Sequence, residues 1–299
     1  MLVAMVEFII LSILSGVLLI GNLLLFKLLR EARRSAAASR LEVDRGKASM
    51  EQEMAVLKQK SAEQSAAAAL ELEQTIRELD ALIYSVSHDL AAPARKIHGF
   101  VALLEDEASA LSEEGREWLG RIKHNSRELG GMIAGLLQIS RIGRAKLDLR
   151  TVDLDPLVAQ IVRAAGSGYP AAQVQANPLP AIRCDPGLTR QVFEILVANA
   201  FKFSGKCATP RIEIGVQSGD GEQRFFVRDN GAGFDQRHAG KLFGVFQRLH
   251  KETEYPGIGA GLAIARRIIQ RHAGRIWAES TPDQGATFYF TVGDIDAPR

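Results

Sequence analysis

The chain has 299 residues, of which 46% are hydrophobic and 24% are charged, and this ordinary globular composition leaves room for more than one domain. The formal net charge of +2 provides no overall positive field, so a nucleic-acid partner is not expected. Two cysteines, Cys184 and Cys207, favour a reducing compartment over a disulfide-stabilised scaffold.

The first predicted element is a transmembrane helix, assigned to residues 1–29. Residues 8–26 form an uncharged apolar run that is long enough to span a bilayer. Basic residues begin only at Lys27, so a single-pass protein of the inner membrane is expected, with its remainder in the cytoplasm. A cleaved signal peptide is the alternative, but no basic segment precedes the run. Few residues precede Phe8, so an extracellular sensor domain is not expected.

A coiled-coil linker is predicted for residues 30–74. Residues 30–80 are rich in Ala, Glu, Gln, Lys and Arg and contain no proline. A heptad-like spacing runs from Met50 to Ala68 and changes phase at Leu72. Because small and polar residues occupy part of this seam, a plain spacer and a weak coiled coil with a shifting register are equally consistent with it.

A dimerisation and phosphotransfer domain is predicted for residues 75–145. Apolar residues at 4-3 spacing run from Leu79 to Leu104 and again from Trp118 to Ile139, with a turn at 105–115 between them. Two helices cannot enclose a core by themselves. A homodimer that closes a four-helix bundle is therefore predicted.

His88 lies between the seam residues Val86 and Leu90, which places it on the solvent side of the first helix. An exposed imidazole beside a carboxylate suits a nucleophile, because Asp89 can hold one ring nitrogen while the other attacks. Pro93 has no N–H for the carbonyl of Asp89, so the helix is expected to bend or loosen there.

An α/β domain is predicted for residues 150–295. Two strand pairs are indicated by RIEIGVQ with RFFVRDN and by GRIWAES with ATFYFTV, while residues 186–204 carry a helical stripe that includes Asn199. An asparagine on an apolar stripe requires a partner, either an internal hydrogen bond or a ligand. Lys202 follows one turn later and can reach an anion from the same face.

Two glycine clusters predict a phosphate-binding site. DNGAGF, residues 229–234, ends a strand, and GIGAGLAIARRII, residues 257–269, opens a helix. Glycines let backbone N–H groups approach phosphates, and a helix N-terminus favours negative charge. The polar connection at 235–256 contains aromatic anchors and is typical of a lid.

Together these motifs resemble those of a membrane-anchored sensor histidine kinase of two-component systems, in wording closest to the phytochrome-like branch. SVSHDLAAP resembles the phospho-acceptor box, LVANAFKFS the asparagine box, and RDNGAGF and GIGAGLAIARRI the nucleotide glycine boxes. LFGVFQRLH resembles the box of the lid, and GATFYF the final glycine box. The resemblance covers residues 75–293. It implies an α+β multi-domain protein in which a dimeric helical hairpin precedes an ATP-binding sandwich of the Hsp90-like type, without a photosensory domain.

The resemblance implies a role for each matching residue, with ATP and Mg²⁺ as cofactors. His88 would accept the γ-phosphoryl group and Asp89 would orient or deprotonate it. Asn199 would bind Mg²⁺, and Asp229 would accept the adenine amino group. The other expected nucleotide-binding residues are Lys202, Gly231, Gly233, Arg248, Gly257, Gly259, Gly261, Leu262 and Thr287. The phosphoryl group would then pass to a separate response regulator, and a hinge near residues 144–156 would let the sandwich reach the histidine.

Three positions depart from the family pattern. Ile195 stands where many relatives carry a second asparagine, and Ala91 stands where an arginine is common. Ala92 replaces the Thr or Asn of strong phosphatases, and weak phosphatase activity is expected because alanine cannot orient a water molecule.

Two alternatives remain beside the kinase. A signalling adaptor that keeps the bundle and the nucleotide fold is favoured by Ile195 and Ala91, whereas intact His88 and Asn199 argue against it. An ATP-driven clamp of the Hsp90 type requires a water-activating acid, often four residues before the asparagine. Ile195 occupies that position, and Glu194 is one residue, about 100°, out of phase. Phosphoryl transfer within one subunit and transfer between subunits both remain open.

Overall fold

The computed structural model describes residues 2–219, 222–251 and 253–293 of the chain. Within residues 2–48, side chains are described at positions 16, 21–35, 39–40 and 45–47. The chain divides into two compact units, Met1–Thr75 and Ile76–Arg299.

The first unit is helical throughout its described residues and belongs to helix α1, which spans Leu2–Asp106. The apolar residues of the predicted coiled-coil seam, including Met50, Met54 and Leu57, are exposed. Among the residues that the structure describes, no helical stretch is long and apolar enough to cross a membrane. Because the side chains at 8–15 and 17–20 lie outside the described set, the transmembrane helix stays a prediction.

The second unit begins with the predicted helical hairpin. Helix α1 ends at Asp106, a 3₁₀ helix covers Ala108–Ala110, and helix α2 spans Glu113–Arg144. Ser112 caps α2, since its side chain accepts a hydrogen bond from the N–H of Gly115 at 3.1 Å. Helix α1 continues through Pro93, so the predicted loosening does not interrupt it.

The two helices of the hairpin contact each other through a face one residue beyond the predicted seam. The buried residues on α1 are Ser87, Ala91, Ala94 and Val101, and those opposite on α2 include Leu119, Ser126 and Ile133. The preceding residues Val86, Leu90 and Phe100 are exposed. Because one residue turns a helix by about 100°, the predicted seam faces away from α2 and leaves an apolar surface for a further helix pair.

The remaining elements follow in chain order: β1 (Arg150–Val152), α3 (Leu154–Gly166), β2 (Gln173–Ala176), β3 (Ile182–Cys184), α4 (Pro186–Ser204), β4 (Arg211–Gly219), β5 (Glu222–Asp229), a 3₁₀ helix (Gln236–Lys241), α5 (Gly261–Arg271), β6 (Ile276–Ser280) and β7 (Ala286–Phe290). The elements expected between 186 and 292 are present. Residues 150–185, for which the sequence analysis assigned no elements, contribute one helix and three short strands.

These elements form an α/β sandwich. The five-stranded sheet has the order β2-β4-β5-β7-β6, in which only the β2–β4 pair is parallel, and β1 pairs with β3 in a separate two-stranded sheet. Helix α4 packs on the sheet through Phe193, whose ring meets that of Phe290 at 5.3 Å, and Phe290 stacks on Phe225 at 5.2 Å. All three rings are fully buried and anchor the core.

A buried histidine joins α5 to the start of α4. His272 Nε2 accepts a hydrogen bond from the N–H of Asp185 at 3.0 Å, and Nδ1 lies 2.9 Å from the carbonyl oxygen of Ile268. Both ring nitrogens therefore have partners, with Nδ1 carrying the proton. Asp185 itself caps α4, because its side chain accepts from the N–H of Leu188 at 3.0 Å.

The sandwich contacts both helices of the hairpin. The guanidinium of Arg267 on α5 pairs with Asp80 on α1, and the Asp80 carbonyl accepts a hydrogen bond from Ser140 Oγ at 2.8 Å. Gly135 makes room for the segment before α5, because a Cβ on this glycine would lie 2.8 Å from the Cβ of Ala260. Residues 145–149 connect the two parts, and β1 begins at Arg150, inside the predicted hinge.

Candidate active site

A cavity of about 320 Å³ lies between α4, the ends of β5 and β7, and the segment that leads into α5. Most of the nucleotide-binding residues expected from the sequence line it: Asn199, Lys202, Asp229, Gly233, Arg248, Gly257, Gly259, Gly261 and Leu262. Residues that are separated by more than 60 positions in the chain thus meet in one site.

Asp229 brings a buried carboxyl group to this cavity from the end of β5. Its Oδ1 accepts the N–H of Gly231 at 2.8 Å, and the N–H of Ala286 also donates to the carboxylate. Burial raises the pKa of Asp229 to about 6, although these two hydrogen bonds act in the opposite direction. An ionised Asp229 retains acceptor capacity for an N–H donor of a ligand, and the neighbouring Phe288 supplies an apolar wall.

The turn after Asp229 depends on two glycines. Gly231 does not line the cavity, but a Cβ on it would lie 2.5 Å from the carbonyl oxygen of Phe203 and 2.8 Å from Asp229 Oδ1. Gly233 lines the cavity and has a φ of +59°, a backbone conformation that residues other than glycine rarely adopt. Gly233 therefore forms part of the wall through its backbone, whereas Gly231 lets the turn pack against Phe203 and Asp229.

Two cations and a helix N-terminus give the same cavity an affinity for anions. Burial lowers the pKa of the Lys202 ammonium, and the positive charge of Arg248 lowers it further. Helix α5 begins at Gly261, which lines the cavity, and Ala260 provides no side-chain cap for its first N–H groups. This combination suits the phosphate groups of a nucleotide.

Asn199 lies on the cavity-facing side of α4 and is half-buried. Ile195, one turn earlier, contacts the start of α5, since a Cβ on Gly261 would lie 3.3 Å from its Cγ2. Glu194 is exposed, and its Oε1 accepts a hydrogen bond from Arg190 Nε at 2.9 Å. The acid that a clamp of the Hsp90 type would require is therefore not directed at the cavity.

Thr287, which is also expected to bind nucleotide, does not line this cavity. Successive side chains of a strand point to opposite faces, so Ala286 and Phe288 of β7 line the cavity while Thr287 faces the other side. There its Oγ1 accepts a hydrogen bond from Arg228 Nε at 3.2 Å.

His88 and Asp89 lie on the hairpin and do not line the cavity. The His88 side chain is 69% exposed, as its position off the seam predicts, and Nδ1 lies at a long 3.4 Å from Asp89 Oδ1. Tyr84 stacks against the imidazole at 6.2 Å between ring centroids. With Nδ1 directed at the carboxylate, Nε2 is the nitrogen available for attack.

The sequence analysis did not assign several cavity residues. Phe203 lies within the asparagine box, Gln247, His250 and Tyr255 belong to the predicted lid, and Ile258 belongs to the second glycine cluster. The aromatic anchors of the lid were the available signal, but periodicity does not show which surface such residues contact. Only the folded chain brings His250 and Tyr255 beside the end of α4.

Comparison with protein families matches both halves of the second unit. The family described as "His Kinase A (phospho-acceptor) domain" matches residues 78–145. The family described as "Histidine kinase-, DNA gyrase B-, and HSP90-like ATPase" matches residues 184–294.

Several curated proteins are similar to this chain. Cyanobacterial phytochrome B of Nostoc sp. is 38% identical over 232 residues, which cover 76% of this chain and 31% of that protein. The methanogenesis regulatory histidine kinase FilI of Methanothrix harundinacea is 33% identical over 226 residues, covering 74% of this chain and 25% of FilI. The sensor protein kinase WalK of Staphylococcus saprophyticus is 29% identical over 243 residues, with 76% and 40% coverage. The chain thus spans less than half the length of these relatives.

Among solved structures, full-length ShkA in complex with AMPPNP aligns with a TM-score of 0.52 and 26% identity, covering 71% of this chain and 45% of ShkA. The phospho-acceptor match contains His88, and the ATPase match contains the whole of the cavity described above. The chain thus carries a histidine kinase phospho-acceptor domain at residues 78–145, followed by an ATPase domain of the histidine kinase, DNA gyrase B and HSP90 type at residues 184–294.

Proposed function

We propose that this chain is a sensor histidine kinase that uses ATP to phosphorylate His88 and then passes the phosphoryl group to an aspartate of a separate response regulator. The observation that carries this proposal is a single cavity that is lined by the buried Asp229 carboxyl group and by the cationic side chains of Lys202 and Arg248. A purine with an exocyclic amine and a charged phosphate tail matches both features.

The proposed reaction follows from these groups. Asp229 accepts a hydrogen bond from the adenine amine, while Lys202, Arg248 and the N-terminus of α5 offset the charge of the phosphates. His88 Nε2 attacks the γ-phosphorus, so that an N–P bond forms and the bond to the ADP oxygen breaks. Asp89 holds the proton on Nδ1 during attack and stabilises the positive charge that develops on the ring.

Magnesium is part of the proposal. Mg²⁺ prefers oxygen ligands and retains phosphate and water ligands, and Asn199 places a carboxamide on the cavity wall. Among the described residues there is no cluster of His, Cys, Asp and Glu that could hold a metal by itself. The residues present therefore fit a Mg²⁺ ion bound chiefly through the nucleotide, where it would neutralise phosphate charge.

A movement between sandwich and hairpin is also proposed. His88 does not line the cavity, and in-line transfer requires the reacting atoms to approach to roughly 3–3.5 Å. The predicted domains 75–145 and 150–295 meet at residues 145–149, which form neither helix nor strand. We assign the hinge to this segment. The proposal includes both transfer to His88 of the subunit that binds the ATP and transfer to His88 of its partner subunit.

The remaining proposals concern assembly and location. The exposed apolar surface of the hairpin, represented by Leu90, Phe100 and Trp118, supports a homodimer closed as a four-helix bundle.

The apolar run at 8–26 and the basic residues after it support a single-pass anchor in the inner membrane, with the catalytic part in the cytoplasm.

The proposal is tested by incubating the full chain in lipid vesicles with Mg²⁺ and γ-labelled ATP. The parent is expected to acquire acid-labile, base-stable label that can be chased onto a receiver domain, whereas His88→Gln is expected to acquire none. Nucleotide binding without label in the parent would refute the kinase and favour the adaptor, whose support is Ile195 and Ala91.

A further inference from the structure

Three aromatic side chains close one side of the proposed ATP cavity. Phe203 comes from the end of α4, whereas His250 and Tyr255 come from the lid. Their ring centroids lie 5.4 Å apart for Phe203–His250, 5.2 Å for His250–Tyr255 and 4.9 Å for Phe203–Tyr255. We call this group the aromatic latch, because it joins the lid to the fixed helix beneath it.

Lysine side chains flank the latch on both sides. Lys202 Nζ lies 4.4 Å from the centroid of the Phe203 ring, and Lys206 Nζ lies 4.4 Å from that of Tyr255. Burial raises the pKa of the Tyr255 hydroxyl above its usual value, which favours the neutral form of this ring. Cation–π attraction therefore adds to the ring packing that holds the lid in place.

His250 makes a further contact that the two other rings do not provide. Its Nε2 lies 2.9 Å from the carbonyl oxygen of Gly233, and an imidazole nitrogen facing a carbonyl must donate the hydrogen bond. Gly233 belongs to the turn after Asp229 and holds a positive φ. The same imidazole thus links the lid, the end of α4 and the turn that follows the buried carboxyl.

The latch also separates the ATP cavity from a second cavity of about 460 Å³. Gly233, His250 and Tyr255 line both cavities. Phe234 and Leu249 line both cavities as well, so the imidazole of His250 forms one part of the wall between them. Without this imidazole, the carbonyl oxygen of Gly233 in the turn after Asp229 would lose a hydrogen-bond donor.

We propose that His250 is a positioning residue that fastens the lid against the Gly233 turn and thereby sets how long ATP remains bound. This inference rests on the proposed function, because it concerns the same cavity. His250 acts on the lid and the turn rather than on the reacting phosphate. Its loss should accordingly raise the KM for ATP and leave kcat at saturating ATP nearly unchanged.

Two substitutions separate the contributions of the imidazole. His250→Phe keeps an aromatic ring but removes the donor, whereas His250→Gln keeps an N–H donor but removes the ring. Each is expected to accelerate dissociation of a fluorescent adenine nucleotide about fivefold, and His250→Ala about thirtyfold. His238→Phe is the matched control, because His238 is exposed on the 3₁₀ helix and lines only the second cavity.

The dissociation rates and the KM and kcat of autophosphorylation are measured on the full chain. Faster dissociation with kcat within about twofold of the parent supports the inference, and partial rescue of the alanine variant by glutamine identifies the hydrogen bond. Unchanged dissociation in His250→Ala, or a loss of kcat without faster dissociation, overturns it. If the alanine variant does not fold, the phenylalanine and glutamine variants decide. Failure of the parent to bind any adenine nucleotide would instead refute the proposed function.

Discussion

Two effects act in opposite directions on the pKa of the Asp229 side chain. Burial disfavours its charged form, whereas the N–H groups of Gly231 and Ala286 favour that form. The resulting pKa of about 6 means that the carboxyl is ionised at neutral pH but gains a proton under mildly acidic conditions. A neutral acid has lost part of its acceptor capacity. The protonation of this one group should therefore be visible in nucleotide binding.

ATP affinity is expected to fall as the pH decreases through the pKa of Asp229. The ligand's amine binds the ionised form, so binding competes with protonation, and below about pH 6 the affinity should decrease by up to about tenfold per pH unit. Isothermal titration of the full chain with an adenosine nucleotide between pH 5 and 8 measures this, with the nucleotide's own phosphate titration subtracted.

The control for this prediction is the adenosine analogue that lacks the exocyclic amine. Its binding should be weaker at neutral pH and should depend less on pH. Equal pH profiles for the two ligands would contradict the assignment of Asp229 as the acceptor of the amine.

Local motifs made some site residues predictable and left others hidden. Asn199, Lys202 and Asp229 lie in short motifs that resemble the boxes of histidine kinases, and this resemblance pointed to one site, where all three line the cavity. Thr287 does not line the cavity, because its neighbours in β7 face it instead, and its role in nucleotide binding stays a prediction. His250 was missed because its contacts join segments that are distant in sequence.

At the scale of elements, the contact between the start of α4 and the end of α5 depends on hydrogen bonds of the buried His272. His272→Leu should lower the free energy of unfolding by about 2–4 kcal/mol, because leucine leaves the N–H of Asp185 without its acceptor in the interior. Urea denaturation at neutral pH measures the change. His238→Leu, at an exposed position, serves as the control and should shift the free energy of unfolding by less than about 0.5 kcal/mol. Equal stability of the two variants would show that the His272 bonds are dispensable.

The two helices of the hairpin could be predicted from the sequence, but the faces through which they contact each other could not. Heptad spacing identified the apolar residues of α1 and α2. It did not show that small residues one position later, such as Ala91 and Ala94, make the contact within the chain. Small side chains contribute little to a hydrophobic pattern, although they allow two helices to approach closely. The larger residues of the seam, including Leu90, are left exposed.

At the scale of the whole molecule, a substitution at Gly135 should weaken the contact between the sandwich and α2. Gly135→Ala adds a methyl group that would meet Ala260 at 2.8 Å, so α5 and α2 must separate locally. We expect amide hydrogen exchange in α5 and in residues 145–149 to accelerate several-fold, while helix α2 itself gains stability from alanine.

Gly120→Ala is the matched variant for this measurement. It makes the same substitution in the same helix, but its Cβ would have no atom within 4 Å. If both variants leave exchange in α5 at the parent's rate, the contact at Gly135 does not hold the two parts together.

Dimerisation should depend on the exposed seam of the hairpin. Phe100 is 66% exposed in the single chain, and Phe100→Glu would bury a charge in each half of the proposed bundle. We expect dissociation of the dimer to become at least about a hundredfold more favourable, as measured by light scattering over a concentration series.

Lys96→Glu changes an exposed residue of the same helix and should leave the dimer intact. A monomeric parent, or a Phe100→Glu variant that dimerises as well as the parent, would contradict the four-helix bundle.

The measurement that tests the central claim most directly is the location of the phosphoryl group after incubation of the full chain with Mg²⁺ and ATP. The hairpin carries three histidines in exposed positions, His88, His98 and His124, and Nδ1 of His88 lies 3.4 Å from Oδ1 of the adjacent Asp89. Peptide mass spectrometry under neutral conditions is expected to find phosphate on His88 and not on the two others. Phosphate on His98 or His124, or an unmodified chain that nevertheless binds ATP, would contradict the account.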